Sequence, residues 1–123
     1  MSLKAEVQQL LMTIKQEFPD VKAALNQIDQ TLTTTRLEKF AALTDDAIQQ
    51  NDIKRAQNYL NFIENAFIHA SPQLRQFIDT YYAEVILFYV DDSKQQQAWQ
   101  LIPPKIQQLH KSCWPNTHYV NKN

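Results

Sequence analysis

Apolar residues recur every three or four positions along most of the chain, which is the spacing that puts them on one face of an α-helix. The pattern predicts an all-α protein of about six helices, because Pro103 and Pro104 either separate or sharply bend the last two segments. The predicted helical segments cover residues 3–18, 20–31, 35–50, 53–67, 72–90, 93–102 and 105–114.

The breaks between these segments carry residues that end and begin helices. Thr35 and Glu38 have the spacing of a capping box, while Asn51 and Asp52 supply a left-handed stop and a new N-cap. Ser71, which precedes a proline, predicts the start of the fifth helix. The chain contains no glycine, which argues against β-hairpins and a doubly wound sheet.

The fifth segment, residues 72–90, is apolar on nearly all sides and is therefore expected at the centre of the fold. Replacing Ile86 or Phe88 in it with alanine is expected to cost about 2–5 kcal/mol. The third to sixth segments pair into two successive helical hairpins, which favours either a short α-α superhelix or an irregular helical bundle. We expect one domain over residues 1–123, with residues 116–123 as a loose C-terminal tail.

Composition and charge exclude several classes of function. Walker and Rossmann phosphate loops require glycine, which the chain lacks. With 12 basic and 13 acidic residues interspersed, there is no electrostatic footprint for nucleic acid or an anionic membrane surface. The single Cys113 cannot form an internal disulfide and fits a reducing cytoplasm. Apolar runs fall short of the roughly 20 residues that a transmembrane helix needs.

Candidate chemistry is sparse. His110 and Cys113 lie three residues apart on the last helix, which supplies two of the four ligands that a structural zinc site needs. As a nucleophile and base, the same pair would lie side by side on one helix instead of facing each other across a cleft. The sequence therefore predicts no metal site, no cofactor and no enzymatic activity.

Acidic residues cluster near the predicted helix ends. If the two hairpins stack in register, Asp45, Asp46, Asp91 and Asp92 fall near the C-terminal ends of the third and fifth helices. Negative charge there opposes the helix dipole, and a basic partner would offset that cost. We therefore expect a surface rim that binds a basic partner, so that reversing Asp45 and Asp46 to lysine leaves stability within about 0.5 kcal/mol.

Three further residues are binding candidates. Glu84 interrupts the apolar fifth segment, so it either occupies a narrow exposed arc or pairs inside a network or groove. Glu64 belongs to a polar stripe on the fourth helix, for which a solvated face is the simpler interpretation. Trp99 could anchor an interface, although a tryptophan on a helical stripe more often packs in the core.

Several short sequence segments of the chain resemble those of an uncharacterised bacterial family of short all-helical proteins. The resemblance is carried by Asn51-Asp52, Ala56, Tyr59–Glu64, Val85–Val90 with Asp91-Asp92, and Pro104-Lys105 leading to Trp114, and it covers roughly residues 36–114. Proteins similar to these are suspected of being immunity proteins, which bind and block a toxin. The resemblance therefore implies a protein partner.

Together these observations favour a non-enzymatic protein-binding module, either an immunity-type protein or an adaptor, in the cytoplasm. Self-association into a homo-oligomer stays open. The alternative is a small-ligand-binding or catalytic protein that uses an interhelical pocket around Glu84, with Asp79 and nearby tyrosines.

Overall fold

The computed structural model describes residues 1–120, and their regular structure is helical throughout. The α-helices are α1 (Leu3–Glu17), α2 (Pro19–Leu25), α3 (Thr33–Gln49), α4 (Ile53–Ile68), α5 (Pro72–Ile78), α6 (Asp92–Trp99) and α7 (Pro104–Cys113), with a π-helical turn at Asp79–Ala83. No strand occurs in residues 1–120. The all-α prediction is confirmed.

Several helix ends form as predicted. Asn51 has a φ of 61° and makes the left-handed stop between α3 and α4. The side chain of Asp52 caps α4, and the hydroxyl of Ser71 caps α5 by accepting from the N–H of Leu74 at 3.1 Å. Pro72 occupies the first helical position of α5, where it costs no hydrogen bond.

The boundary between α2 and α3 differs from the prediction. The carboxylate of Asp29 accepts from the N–H of Thr31 at 2.8 Å and from its hydroxyl at 2.7 Å, which builds a turn where α2 was expected to continue. The chain therefore enters α3 at Thr33, two residues early, with Leu32 as the N-cap and no side-chain cap. The predicted capping box at Thr35 does not form.

The fifth helix is much shorter than predicted. Its α-helical part ends at Ile78, a π-helical turn covers Asp79–Ala83, and residues 84–90 form turns. Ile86 points inward and is only 1% exposed, whereas Phe88 points outward and is 57% exposed. The expectation that Phe88 is a core residue is therefore wrong.

The centre of the fold is α3, which contacts α1, α2, α4 and the π-helical turn. Phe40 on α3 is fully buried within an aromatic cluster, and its ring centroid lies 5.3 Å from that of Tyr59 and 5.5 Å from that of Tyr82. Phe18 and Phe62 complete this cluster. Because α1 also contacts α5, the chain closes on itself, which makes the fold an irregular bundle and not an open superhelical stack.

The C-terminal residues pack against this bundle. Tyr119 is buried, and its ring lies 5.6 Å from that of Trp99. The expectation of a loose tail from residue 116 is thus wrong at Tyr119, while residues 121–123 lie outside the described part of the chain. Within the described part, no helix has the length and apolarity needed to cross a membrane.

Candidate functional site

A buried carboxylate explains why the predicted fifth helix stops. Asp45 on α3 is 0% exposed, and its Oδ1 accepts from the N–H of Leu87 at 2.7 Å. Its Oδ2 accepts from the N–H of Tyr89 at 3.1 Å. In a continuing α-helix these two N–H groups would bond carbonyls of the preceding turn, so Asp45 replaces the helical pattern with a loop.

The loop contains a strained residue. Leu87 has a φ of 76°, in the left-handed region that non-glycine residues occupy at a cost of about 1–2 kcal/mol. The side chain of Leu87 is buried, and its N–H is held by Asp45. Burial of the side chain and the hydrogen bond to Asp45 together offset the backbone strain. Residues 84–90 are called the aromatic loop below.

Side chains of the aromatic loop point either into the core or into solvent. Ile86, Leu87 and Val90 are buried, whereas Phe88 is 57% and Tyr89 is 72% exposed. Two large neighbouring aromatic side chains thus project from a backbone that a buried group holds in place.

Contacts to the C-terminal region support the loop from its other side. The ring of Trp114 lies edge-on to that of Phe88, with 5.6 Å between centroids. The indole N–H of Trp114 donates to the backbone carbonyl of Glu84 at 2.7 Å. The loop is therefore braced at its first residue and beneath Phe88.

A groove with a volume of about 790 Å³ lies between α3 and the aromatic loop. Its apolar lining comprises Ile28, Ala42, Leu43, Val85 and Phe88. Its polar lining includes Glu38, Lys39, Asp46, Gln49 and the Tyr89 side chain. A mostly apolar lining with a few charged groups is typical of sites that recognise a peptide or protein segment.

The predicted acidic rim forms only in part. Asp45 is buried, so its placement on a surface rim is wrong, and so is the expectation that its reversal to lysine leaves stability unchanged. Asp46 is exposed and lies 3.7 Å from a guanidinium nitrogen of Arg55. Asp91 is exposed next to α3, because its N–H donates to Oε1 of Gln49 at 3.0 Å. Asp92 is exposed at the first position of α6, where the helix dipole favours a negative charge.

The other three candidates, Glu64, Glu84 and Trp99, are not among the residues that line the groove. Glu64 is half-buried, and its Oε2 accepts from the N–H of Lys105 at 3.2 Å, which ties α4 to the start of α7. Trp99 packs on the rings of His110 and Tyr119, so it is a packing residue. Glu84 is half-buried.

Glu84 lies beside Cys113 and Asp79. The pKa of the Cys113 thiol is raised by burial and further by the carboxylates of Glu84 and Asp79. A raised pKa disfavours the thiolate, which is the nucleophilic form. Oδ1 of Asp79 is buried without a hydrogen-bond partner among the described residues, and burial and Glu84 raise the pKa of this carboxyl group.

Both ring nitrogens of His110 are engaged. Nδ1 lies 2.7 Å from the carbonyl oxygen of Ala83, which can only accept, so Nδ1 carries the proton. Nε2 then accepts from the hydroxyl of Tyr119 at 2.7 Å. Burial lowers the pKa of His110, which favours the neutral ring. Residues 1–120 contain no group of three or more histidine, cysteine or acidic side chains that could hold a metal ion.

The pH dependence of stability should report on Asp45. Burial raises the pKa of Asp45 from 3.8 to about 7, although the N–H groups of Leu87 and Tyr89 act to lower it. Because the folded-state pKa is the higher one, Asp45 favours folding fully below about pH 4, and this contribution is lost as the pH rises through about 7. We expect the difference in unfolding free energy between wild type and Asp45→Asn to fall over this range. Urea unfolding from pH 5 to 8 measures it.

The comparison with Asp45→Asn isolates this group. His110, with its lowered pKa, shifts stability in the opposite direction as the pH rises, but it is present in both proteins and cancels in the difference. A difference that stays constant across the range would show that Asp45 does not titrate there.

The sequence contains a signal for the burial of Asp45. It follows Ala41 by four residues and precedes Ile48 by three, so helical spacing puts it on the stripe of α3 that faces the core. Its neighbour Asp46 falls outside this stripe. Treating the two residues as one acidic pair therefore obscures that only Asp45 faces the core.

The model of one protein family, described as a domain of unknown function (DUF7674), matches residues 11–118. No curated protein and no solved structure matches the chain. The matched residues include α3, the aromatic loop and Trp114, and thus the whole groove. Since the family model covers most of its length, the chain belongs to the DUF7674 family.

Proposed function

We propose that the chain is a non-enzymatic protein-binding module that contacts its partner through Phe88, Tyr89 and the groove beside them. The observation that carries this proposal is the exposure of two adjacent aromatic side chains on a loop held by the buried Asp45. Aromatic residues dominate the energetics of protein interfaces, and an ordered loop loses little conformational entropy on binding.

The charges around the groove favour a basic partner. The charged residues are Glu38, Lys39, Asp46, Asp91, its exposed neighbour Asp92, and Lys94, and Arg55 lies 3.7 Å from Asp46. Four carboxylates against three cations leave a small excess of negative charge, which favours a partner with an apolar centre and basic residues around it. A second copy of the chain would meet the same excess of carboxylates, so a different protein fits better than a homo-oligomer.

The resemblance to suspected immunity proteins supports a toxin as that partner, and an adaptor role is the broader form of the same proposal. The single Cys113 fits a protein of the bacterial cytoplasm, because disulfides are rare in such a reducing compartment.

A catalytic or ligand-binding alternative rests on one observation, the buried and unpaired Oδ1 of Asp79 beside Glu84. A ligand that donates a hydrogen bond to Asp79 would satisfy this oxygen. Glu84→Gln distinguishes the alternatives, because it should eliminate a function that uses Asp79 and Glu84 and leave binding by Phe88 and Tyr89 intact.

We expect a photo-crosslinking amino acid at position 89 to capture one predominant protein in cells that produce the chain. With that protein purified, Tyr89→Ala and Phe88→Ala should each weaken binding by about 2 kcal/mol, or roughly thirtyfold, in a calorimetric titration. The reason is that both side chains are exposed in the free protein and would be buried in the complex.

The matched control places the crosslinker at Gln57, an exposed polar residue of α4. The same product from both positions would indicate nonspecific capture. Normal binding by Tyr89→Ala and Phe88→Ala, together with loss of binding by Glu84→Gln, would contradict the proposed surface and favour the pocket.

A further inference from the structure

A second groove, with a volume of about 690 Å³, lies between α1 and the segment that leads into α3. Among the described residues, three cations line it, Lys4 and Lys15 from α1 and Arg36 from α3, and no carboxylate is part of the lining. The hydroxyl-bearing residues Thr31 and Thr33 also line it. In a chain with a net charge of −1, this basic groove is a local concentration of positive charge.

The guanidinium of Arg36 forms no ion pair with a carboxylate of residues 1–120. Arg36 is 8% exposed, and its Nε and Nη2 donate to the carbonyl of Ile28 at 3.1 Å and 2.7 Å. This carbonyl is neutral, and no carboxylate of residues 1–120 comes within 4.0 Å of the guanidinium, since the ion pairs there all belong to Arg55. A buried charge that is hydrogen-bonded but not neutralised carries a desolvation cost, which an anion in the groove would reduce.

The closest acidic group of the segment is already engaged. The carboxylate of Asp29 accepts from the N–H and the hydroxyl of Thr31, and these two hydrogen bonds lower its pKa more than the charge of Arg36 does. Asp29 therefore holds the turn through Thr31 and forms no ion pair with Arg36 within 4.0 Å.

The N-terminus of α3 adds to the positive potential of the groove. This helix has 17 residues, no side-chain cap and no acidic residue in its first turn. Its first residue, Thr33, lines the groove. The uncapped N–H groups and the positive end of the helix dipole favour an anion at this position.

We propose that the basic groove binds a small organic anion with phosphate or carboxylate groups. One anionic group would lie near Arg36 and the start of α3. Lys4 and Lys15 are eleven residues apart, about 16 Å along α1, so they would contact different parts of an elongated ligand or bring it in by long-range attraction. This site is separate from the surface proposed to bind a protein partner, and neither proposal depends on the other.

The proposal is tested by titrating the ¹⁵N-labelled protein with inorganic phosphate, inorganic pyrophosphate and citrate at constant ionic strength. We expect saturable amide shifts confined to residues 30–36 and to the face of α1 that carries Lys4 and Lys15, with saturation below about 20 mM. Saturation with the phosphates alone identifies a phosphate ligand, and saturation with citrate as well identifies a more general anion site. Shifts that stay linear to this concentration, or that spread over all lysines, would overturn the proposal.

Variants separate site binding from general charge effects. Lys15→Gln should weaken phosphate or pyrophosphate binding by about three- to tenfold, because it removes one cation of the lining. Lys111→Gln, an exposed lysine of α7, is the matched control and should leave the affinity unchanged. Equal affinities for the two variants would show that the groove is not the binding site. Arg36 is left intact because it also holds the carbonyl of Ile28.

Discussion

Replacing Asp45 with alanine is expected to lower the free energy of unfolding by about 2–4 kcal/mol, because it leaves the N–H groups of Leu87 and Tyr89 without their acceptor. The strained backbone at Leu87 then loses its main polar restraint. Relief of the desolvation cost of the carboxyl group offsets part of this loss. Urea unfolding at pH 6 measures the change.

The neighbouring Asp46 is the control for this prediction. It is exposed, so Asp46→Ala should change the unfolding free energy by only about 0.5 kcal/mol despite its ion pair with Arg55. Similar losses for the two alanine variants would mean that the acceptor role of Asp45 does not stabilise the loop. Asp45→Lys should be more damaging still, since it puts a cation where two N–H donors converge.

Replacing Phe40 with alanine should be the most destabilising truncation of an aromatic side chain, at about 3–5 kcal/mol. The Phe40 ring is fully buried at the middle of a cluster contributed by several helices, so its loss opens a cavity that its neighbours cannot fill. Thermal and urea denaturation both report this change.

Two further alanine variants give losses of stability with which that of Phe40→Ala can be compared. Phe88→Ala removes the same side chain from an exposed position and should cost less than about 1 kcal/mol, whereas Ile86→Ala, in the core, should cost about 2–4 kcal/mol. A loss for Phe88→Ala as large as that for Phe40→Ala would contradict the outward orientation of the aromatic loop.

Helical periodicity predicts most of this fold, because the spacing of apolar residues and the identity of capping residues are local properties. Asn51, Asp52 and Ser71 mark helix ends correctly, since each acts on backbone groups within a few positions of itself. The turn at Asp29 is also local, but the β-branched residues that follow it obscure the early start of α3.

The candidate site is harder to predict because its determining contacts are not local. The run from Val85 to Val90 is apolar enough for a helix. It forms a loop because Asp45, more than 40 residues earlier, accepts from two of its N–H groups, while His110 and Trp114 donate to the carbonyls of Ala83 and Glu84. Tyr119 likewise joins the core through His110 and Trp99, which are adjacent to it only in the folded chain. A single sequence carries no direct signal for such pairs.

The dependence of the aromatic loop on Asp45 also bears on the order in which the protein folds. The α-helices depend mainly on contacts between residues close in sequence and can begin to form early. The hydrogen bonds from Leu87 and Tyr89 to Asp45 instead close a loop of more than 40 residues, so the conformational entropy of that loop must be lost before they can form. We therefore expect Phe88 and Tyr89 to acquire their geometry after α3 has docked. A partner that recognised this geometry would then discriminate folded molecules from nascent or partly folded chains, which display the same side chains without the same arrangement.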